Sequence, residues 1–179
     1  MRCSRVVLTA VLSTFAMVAF AQSDVGQKSP QSDAQKSFEK LKTLAGSWDG
    51  TLTTTPPSPE VQNKHAQVTL RVTSMGNAFL HEIKIDGRKD DPITMFYLDN
   101  DLLTLTHYCD AGNRPRMTGK SLPDGKTIDF EFLDIAGDPH YHMHHSKFTM
   151  IDADHHIEEW TFMVGDKPVL AHLDLQRRN

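Results

Sequence analysis

The chain contains very little cysteine. Two cysteines, Cys3 and Cys109, occur in 179 residues, and Cys3 lies in an N-terminal segment that we expect to be removed. One remaining cysteine cannot form an internal disulfide. The fold must therefore depend on an ordinary hydrophobic core, which a domain of this length can build. We expect Cys109 to be buried, because a free cysteine usually behaves as a small hydrophobic side chain.

Long apolar runs are missing after the first twenty residues. The run at 6–20 follows Arg2 and Arg5, and Ala-Phe-Ala at 19–21 fits a cleavage site, so residues 1–21 are predicted to be an export signal rather than a membrane span. We expect a periplasmic or secreted protein with no integral membrane segment in the mature chain. Residues 22–33 are polar and predict a flexible tether, which leaves 34–179 as one domain.

Basic charge is also scarce. The formal net charge is -4, and removal of Arg2 and Arg5 leaves 17 basic against 23 acidic residues, a charge of -6. An acidic surface argues against nucleic acid and anionic membranes as partners. The sequence carries no known catalytic motif, so we expect no catalysis.

The residues that remain predict one helix and then strands. Phe38, Leu41 and Leu44 are spaced as on one helical face, with Ser32 or Asp33 as the cap and Gly46 as the end. Alternation of period two then predicts strands at 48–55, 65–74, 78–86, 92–98, 101–109, 115–121, 126–133, 143–152, 155–164 and 167–176. Tight turns separate them, and closure would remove the sheet edges. We therefore predict an all-β, antiparallel up-and-down β-barrel of about ten strands after a short N-terminal helix.

The start of this pattern resembles the calycin superfamily, which includes lipocalins, fatty-acid-binding proteins and nitrobindin-like haem proteins. The resemblance covers about residues 36–178 and is carried by Leu-Ala-Gly-Ser-Trp-Asp-Gly at 44–50. It is nearest to bacterial lipocalin-like proteins, which share segments similar to 105–109 and 113–117. In lipocalins the tryptophan of Gly-x-Trp plugs one barrel end, so the resemblance gives Trp48 that place beside the ligand space.

Two clusters are candidates for ligand binding. Fatty-acid-binding proteins hold a carboxylate with arginine and tyrosine inside the barrel, and by this resemblance Arg116 and Tyr108, with His107, would meet the polar end of a ligand. A structural role for Arg116 remains open. His81 shares the phase of an apolar strand face, and Glu158 shares that of another, so both are predicted to point inward. They would meet a polar ligand group or hold the barrel together.

Histidines are abundant and suggest a cofactor as the alternative. His140, His142 and His144 alternate in phase with Phe148, so an inward-facing metal site for zinc or copper is one hypothesis. A solvent-exposed loop is the other reading of the same histidines. The resemblance to nitrobindin-like proteins places His172 where their haem-binding histidine lies, although alternation puts His172 opposite the apolar face.

The leading hypothesis is an exported carrier or sensor that holds a small, mostly apolar or amphipathic molecule in the barrel lumen. Haem or transition-metal binding is the second hypothesis. A barrel filled by side chains, acting as a structural or interaction module or as an accessory to an enzyme, is the third. The sequence does not identify the ligand or the oligomeric state.

Overall fold

Ten antiparallel strands follow one helix in the computed structural model, which describes residues 30–178. The predicted export signal (1–21) and residues 22–29 of the predicted tether lie outside the described residues. The elements are α1 (Asp33–Lys42), β1 (Gly46–Thr55), β2 (Lys64–Thr73), β3 (Ala78–Ile85), β4 (Ile93–Asp99), β5 (Leu102–Tyr108), β6 (Arg114–Ser121), β7 (Thr127–Ala136), β8 (Tyr141–Met150), β9 (His155–Val164) and β10 (Lys167–Arg177). A short 3-10 turn, Ser74–Gly76, joins β2 to β3. The predicted fold class is confirmed.

The strands close into a barrel with each strand paired to its neighbours in the chain. Closure is made by β1 and β10, which pair antiparallel with Leu52 opposite Leu173. Every strand in the described part of the chain therefore has a partner on both sides. Closure satisfies the backbone groups that an open sheet would leave unpaired at its edges.

The helix α1 covers one end of the barrel. Ser32 caps it by accepting a hydrogen bond from the backbone N–H of Gln35 at 3.2 Å, a side-chain contact typical of helix N-termini. Ser37 meets Ser121 at the end of β6, with 2.8 Å between hydroxyl oxygens, and Lys42 donates to the carbonyl of Gly76 at 3.3 Å. The helix thus lies on turns that share one end of the barrel. Within residues 30–178, no helix has the length and apolar character needed to cross a membrane.

The half of the barrel near α1 is filled by side chains. Four phenylalanines, Phe79, Phe96, Phe130 and Phe148, are fully buried there. Phe96 lies 5.4 Å from Phe130 and 5.5 Å from Phe148 between ring centroids, a separation at which tilted aromatic pairs attract each other. The core therefore occupies one half of the lumen and leaves the other half to the cavity described below.

Trp48 seals the filled end. Its indole Nε1 donates to the carbonyl of Leu44 at 2.9 Å, and the Arg177 guanidinium lies over its ring at 4.2 Å. The ring of His156 meets it edge-on at 4.2 Å. The side chain is fully buried, so Trp48 packs between the helix end and the core.

Candidate functional site

A cavity opens at the barrel end opposite α1. Its volume of about 360 Å³ lies near the lower end of the roughly 300–1,000 Å³ typical of small-molecule sites. Its walls are mostly apolar and come from β1, β3, β4, β5, β8, β9 and β10, with contributions such as Ile83, Phe162, Val169 and Leu173. Inward positions deeper along the same strands, such as Phe79 on β3, are fully buried and belong to the core.

The cavity ends on a polar floor formed by His81, Thr94, His107 and Trp160. Strand register explains the first three, because Thr94 on β4 is paired with His81 on β3 and with His107 on β5. Paired residues on adjacent strands point to the same face. The Trp160 ring completes the floor from β9, 5.5 Å from the His81 ring and 5.8 Å from the His107 ring.

His107 lies on this floor and uses one of its two ring nitrogens to hold Thr94. Its Nδ1 forms a 2.8 Å hydrogen bond with the Thr94 hydroxyl, which leaves Nε2 for a molecule in the cavity. Burial, with a smaller contribution from the charge of His81, lowers the pKa of His107 to about 4. The imidazole is therefore neutral at neutral pH and offers one hydrogen bond without a charge.

A buried carboxylate lies directly beneath the floor. Glu158 is fully buried, and its Oε2 accepts hydrogen bonds from His81 Nε2 at 2.9 Å and from Trp160 Nε1 at 3.0 Å. Its Oε1 accepts a hydrogen bond from His156 Nε2 at 3.0 Å. Burial favours a raised pKa, but the charge of His81 and the hydrogen bonds from His156 and His81 outweigh it, and the pKa of Glu158 lies well below its usual range.

These contacts fix which nitrogen of each histidine donates to Glu158. An ionised carboxylate only accepts hydrogen bonds, so His81 and His156 both donate from Nε2. Their Nδ1 atoms are buried and have no hydrogen-bond partner within residues 30–178. Glu158 therefore joins β3 to β9 across the lumen and orients the floor, while the cavity itself is bounded by His81 and Trp160.

Charged side chains form a rim cluster at the mouth, made of Arg88, Asp90 and Asp110. Arg88 donates to both carboxylate oxygens of Asp90, at 2.8 and 3.0 Å, and to Asp110 at 2.7 Å. The hydrogen bond from Arg88 lowers the pKa of Asp90. The cluster joins the β3–β4 and β5–β6 connections, and it contains two acids and one base.

Cys109 lines the cavity next to this rim. It is half-buried, and its thiol donates to Asp110 at 3.3 Å. Burial raises the pKa of the thiol to about 11. The predicted burial is thus only partial, and the side chain is a neutral thiol at neutral pH.

Two predicted ligand-binding residues lie away from the cavity. Tyr108 is 45% exposed, because its neighbours His107 and Cys109 take the inward positions of this part of β5. Arg116 forms a bidentate ion pair with Asp134, and hydrogen bonds between the two raise the pKa of Arg116 and lower that of Asp134. The contacts of Arg116 are those of a structural residue that pairs two neighbouring strands. The arginine–tyrosine site expected for a ligand carboxylate is not formed inside the barrel.

The predicted metal-binding histidines do not line the cavity either. A register shift between Met143 and His145 marks a β-bulge in β8, and such an insertion changes which residues face inward. Met143 lines the cavity. His142 and His144 pack on Phe132, with 3.1 Å between their nitrogens, and His140 is exposed. Burial, followed by the charge of His142, lowers the pKa of His144.

A different group on β7 and β8 has metal-ligand composition. Asp129, Glu131 and His145 place potential ligand atoms within 4.8 Å of one another. His145 Nε2 already contacts Asp129 at 2.9 Å. Sequence reasoning missed this group because its members are joined by strand pairing rather than by spacing in the chain, with Glu131 opposite His145.

The haem candidate also lies outside the cavity. Ala171 and Leu173 line it, so the intervening His172 points to the other face of β10, as strand alternation requires. The residue that the resemblance assigned to haem therefore does not fit that group, and we assign no haem through His172. Trp48 likewise packs in the filled end and not against the cavity, whereas His81, predicted inward from its phase, and His107, predicted beside Tyr108 and Arg116, both line the cavity.

Comparisons with known proteins identify the fold. No protein-family model and no curated protein matches the chain. Among solved structures, Rv2717c from M. tuberculosis is similar with a TM-score of 0.60 and 14% identity, over 79% of this chain and 97% of that one. A protein of unknown function from the DUF3598 family of Nostoc punctiforme has a TM-score of 0.55 and 13% identity over 77% of this chain. This chain spans about half of that protein, 49%. A closed ten-strand barrel fits a calycin-like fold.

Proposed function

We propose that this barrel binds a small, mostly apolar molecule in its cavity, as an exported carrier or sensor without catalysis. The observation that carries the proposal is the division of the lumen. One half is filled by aromatic side chains, whereas the other keeps an apolar space of about 360 Å³ above a polar floor. Well-formed apolar cavities with a few convergent polar groups are typical of small-molecule sites.

The polar groups support binding rather than chemistry. His107 is neutral and held by Thr94, and His81 is held by the buried Glu158. Catalysis by a general base needs a group poised to change its protonation near the working pH. The lowered pKa of His107 keeps it away from that range, so the floor is suited to orienting a ligand.

Native mass spectrometry of the gently purified protein tests whether a ligand is retained. Titration with N-phenyl-1-naphthylamine, an apolar fluorescent probe, tests whether the cavity admits one. We expect saturable binding that the Ala171→Phe variant weakens, because Ala171 lines the cavity. His172→Phe is the matched control, since its side chain points to the opposite face.

Equal binding by the two variants, or no saturable binding by the wild type, would contradict the proposal. A haem-sized or metal-sized mass that survives buffer exchange would instead favour the cofactor hypothesis. In that case His172→Ala separates haem held through His172 from haem held elsewhere, because only the former is lost in this variant.

A further inference from the structure

We propose that the cavity selects an uncharged amphiphile, an apolar molecule whose hydroxyl or carbonyl group lies on the floor against His107 Nε2. This inference rests on the proposed function and names the class of ligand. It differs from a fatty-acid site, in which a charged head group needs a cationic partner. The contacts of the floor and of the rim cluster lead to it independently.

The floor offers hydrogen bonds but no unpaired cation, because the charge of His81 is matched by that of Glu158. His107 bears no charge at neutral pH, and its Nδ1 is occupied by Thr94. The Nε2 of His81 donates to Glu158, and its Nδ1 is buried away from the cavity surface. A carboxylate on this floor would lose its hydration without gaining a counter-ion, and an unpaired buried charge is far more costly than a hydrogen-bonded neutral group.

The negative charge of Glu158 beneath the floor also disfavours a ligand carboxylate. Glu158 is ionised and fully enclosed by His81, His156 and Trp160. The N–H groups of these three residues point at the oxygens of Glu158, so they are not available to a ligand carboxylate above the floor. A neutral hydroxyl or carbonyl needs a single partner, and His107 Nε2 supplies one.

The rim cluster does not compensate an anion either. Within residues 30–178, Arg88 is the one basic side chain besides histidine that lines the cavity. Its guanidinium already donates three hydrogen bonds to Asp90 and Asp110. Two carboxylates against one guanidinium leave the rim cluster with no positive charge to offer an entering anion.

Two ligands with the same tail test this inference. Decan-1-ol and decanoate are used to displace N-phenyl-1-naphthylamine from the full-length protein at pH 7.5. We expect decanoate to bind at least about tenfold more weakly than decan-1-ol, because its charge would be buried without a partner. Equal or tighter binding of decanoate would overturn the inference while leaving ligand binding itself intact. Failure of the probe to bind would overturn the proposed function instead.

Variants separate the contributions of floor and rim. His107→Leu should weaken decan-1-ol by roughly threefold to tenfold, the loss expected for one hydrogen bond, whereas His107→Gln should retain most of the affinity. The double variant Asp90→Asn with Asp110→Asn releases Arg88 from its ion pairs and should strengthen decanoate without changing decan-1-ol. Unchanged decanoate affinity in the double variant, or unchanged decan-1-ol affinity in His107→Leu, would overturn the corresponding part of the inference.

Discussion

Glu158 and His81 join opposite walls of the barrel through a 2.9 Å hydrogen bond between Oε2 and Nε2. Both side chains are closed to solvent, with 0% and 2% of their surface exposed. The strands that carry them, β9 and β3, are not neighbours in the sheet. This hydrogen bond between side chains therefore links the two walls through the lumen, at the level where the filled core meets the cavity.

Breaking this contact should destabilise the barrel strongly. Glu158→Gln leaves the N–H donors of His81, His156 and Trp160 with an amide that cannot accept from all of them. We expect a loss of about 3–5 kcal/mol in the free energy of unfolding, the usual cost of removing one partner from a buried ion pair. Urea unfolding followed by circular dichroism measures it.

Glu159→Gln is the matched control. Glu159 neighbours Glu158 on β9 but pairs with Lys147 at a partly exposed position, so we expect a change below about 1 kcal/mol. A loss of comparable size in both variants would show that the buried carboxylate has no special role in stability.

The stability of the barrel should fall as the pH drops below the ordinary pKa of histidine. His107 has a pKa of about 4 in the folded protein, against about 6.5 in an unfolded chain. Between these values the unfolded state binds more protons, so stability rises with pH across this window and falls as the solution is acidified. From pH 7 to pH 5 the contribution of His107 should amount to a loss of about 2 kcal/mol.

The His107→Gln variant isolates this contribution. Glutamine does not titrate and can still bond to Thr94, while the other titrating groups are common to both proteins and cancel in the comparison. The difference in unfolding free energy between pH 7 and pH 5 should be smaller in the variant. An identical pH dependence in both proteins would contradict the burial of a neutral His107.

Much of the fold could be predicted from the sequence because its signals are local. Turn residues and period-two alternation placed ten strands, and the predicted span 155–164 coincides with β9. The largest differences occur around β7 and β8, where β7 continues to Ala136 and β8 begins at Tyr141. Histidines and acids interrupt the alternation there, because polar residues in a strand give the same sequence signal as a turn.

The site was harder to predict because the alternation of apolar and polar residues does not reveal where a β-bulge changes the facing of a strand. Phase alone placed His81 and Glu158 inward correctly, since β3 and β9 each keep one register along these residues. The same reasoning placed His142 and His144 inward, whereas after the register shift it is Met143, between them, that lines the cavity. The Arg88 rim was missed because its partners lie in two separate connections that only the closed barrel brings together.

Arg88 should restrict the motion of the two connections at the mouth of the cavity while contributing little to the stability of the fold. Its bridge to Asp110 joins two connections, 86–92 and 109–113, and both side chains are partly exposed. Ion pairs of this kind contribute at most about 1 kcal/mol to stability. We expect Arg88→Gln to unfold almost like the wild type but to show faster hydrogen exchange in both connections, measured by mass spectrometry of peptides.

Arg116→Gln provides the comparison for that measurement. It removes another arginine–aspartate pair, with Asp134, but this pair joins the neighbouring strands β6 and β7 rather than two connections. Its exchange rates in 86–92 and 109–113 should remain those of the wild type. Equal acceleration by both variants would indicate a general loosening of the barrel rather than an opening of the mouth.

The thiol of Cys109 should report whether the cavity is occupied. Burial raises its pKa to about 11, so its thiolate fraction near neutral pH is roughly a hundredfold or more below that of a free cysteine with a pKa of about 8.5. We expect slow modification by N-ethylmaleimide in the folded protein, followed on the Cys109 peptide by mass spectrometry, and fast modification in urea. Because Cys109 lines the cavity, saturating N-phenyl-1-naphthylamine should slow the reaction further in the wild type but not in Ala171→Phe. A folded-state rate equal to that in urea would contradict the burial of the thiol, and a rate unaffected by bound probe would place the probe outside this cavity.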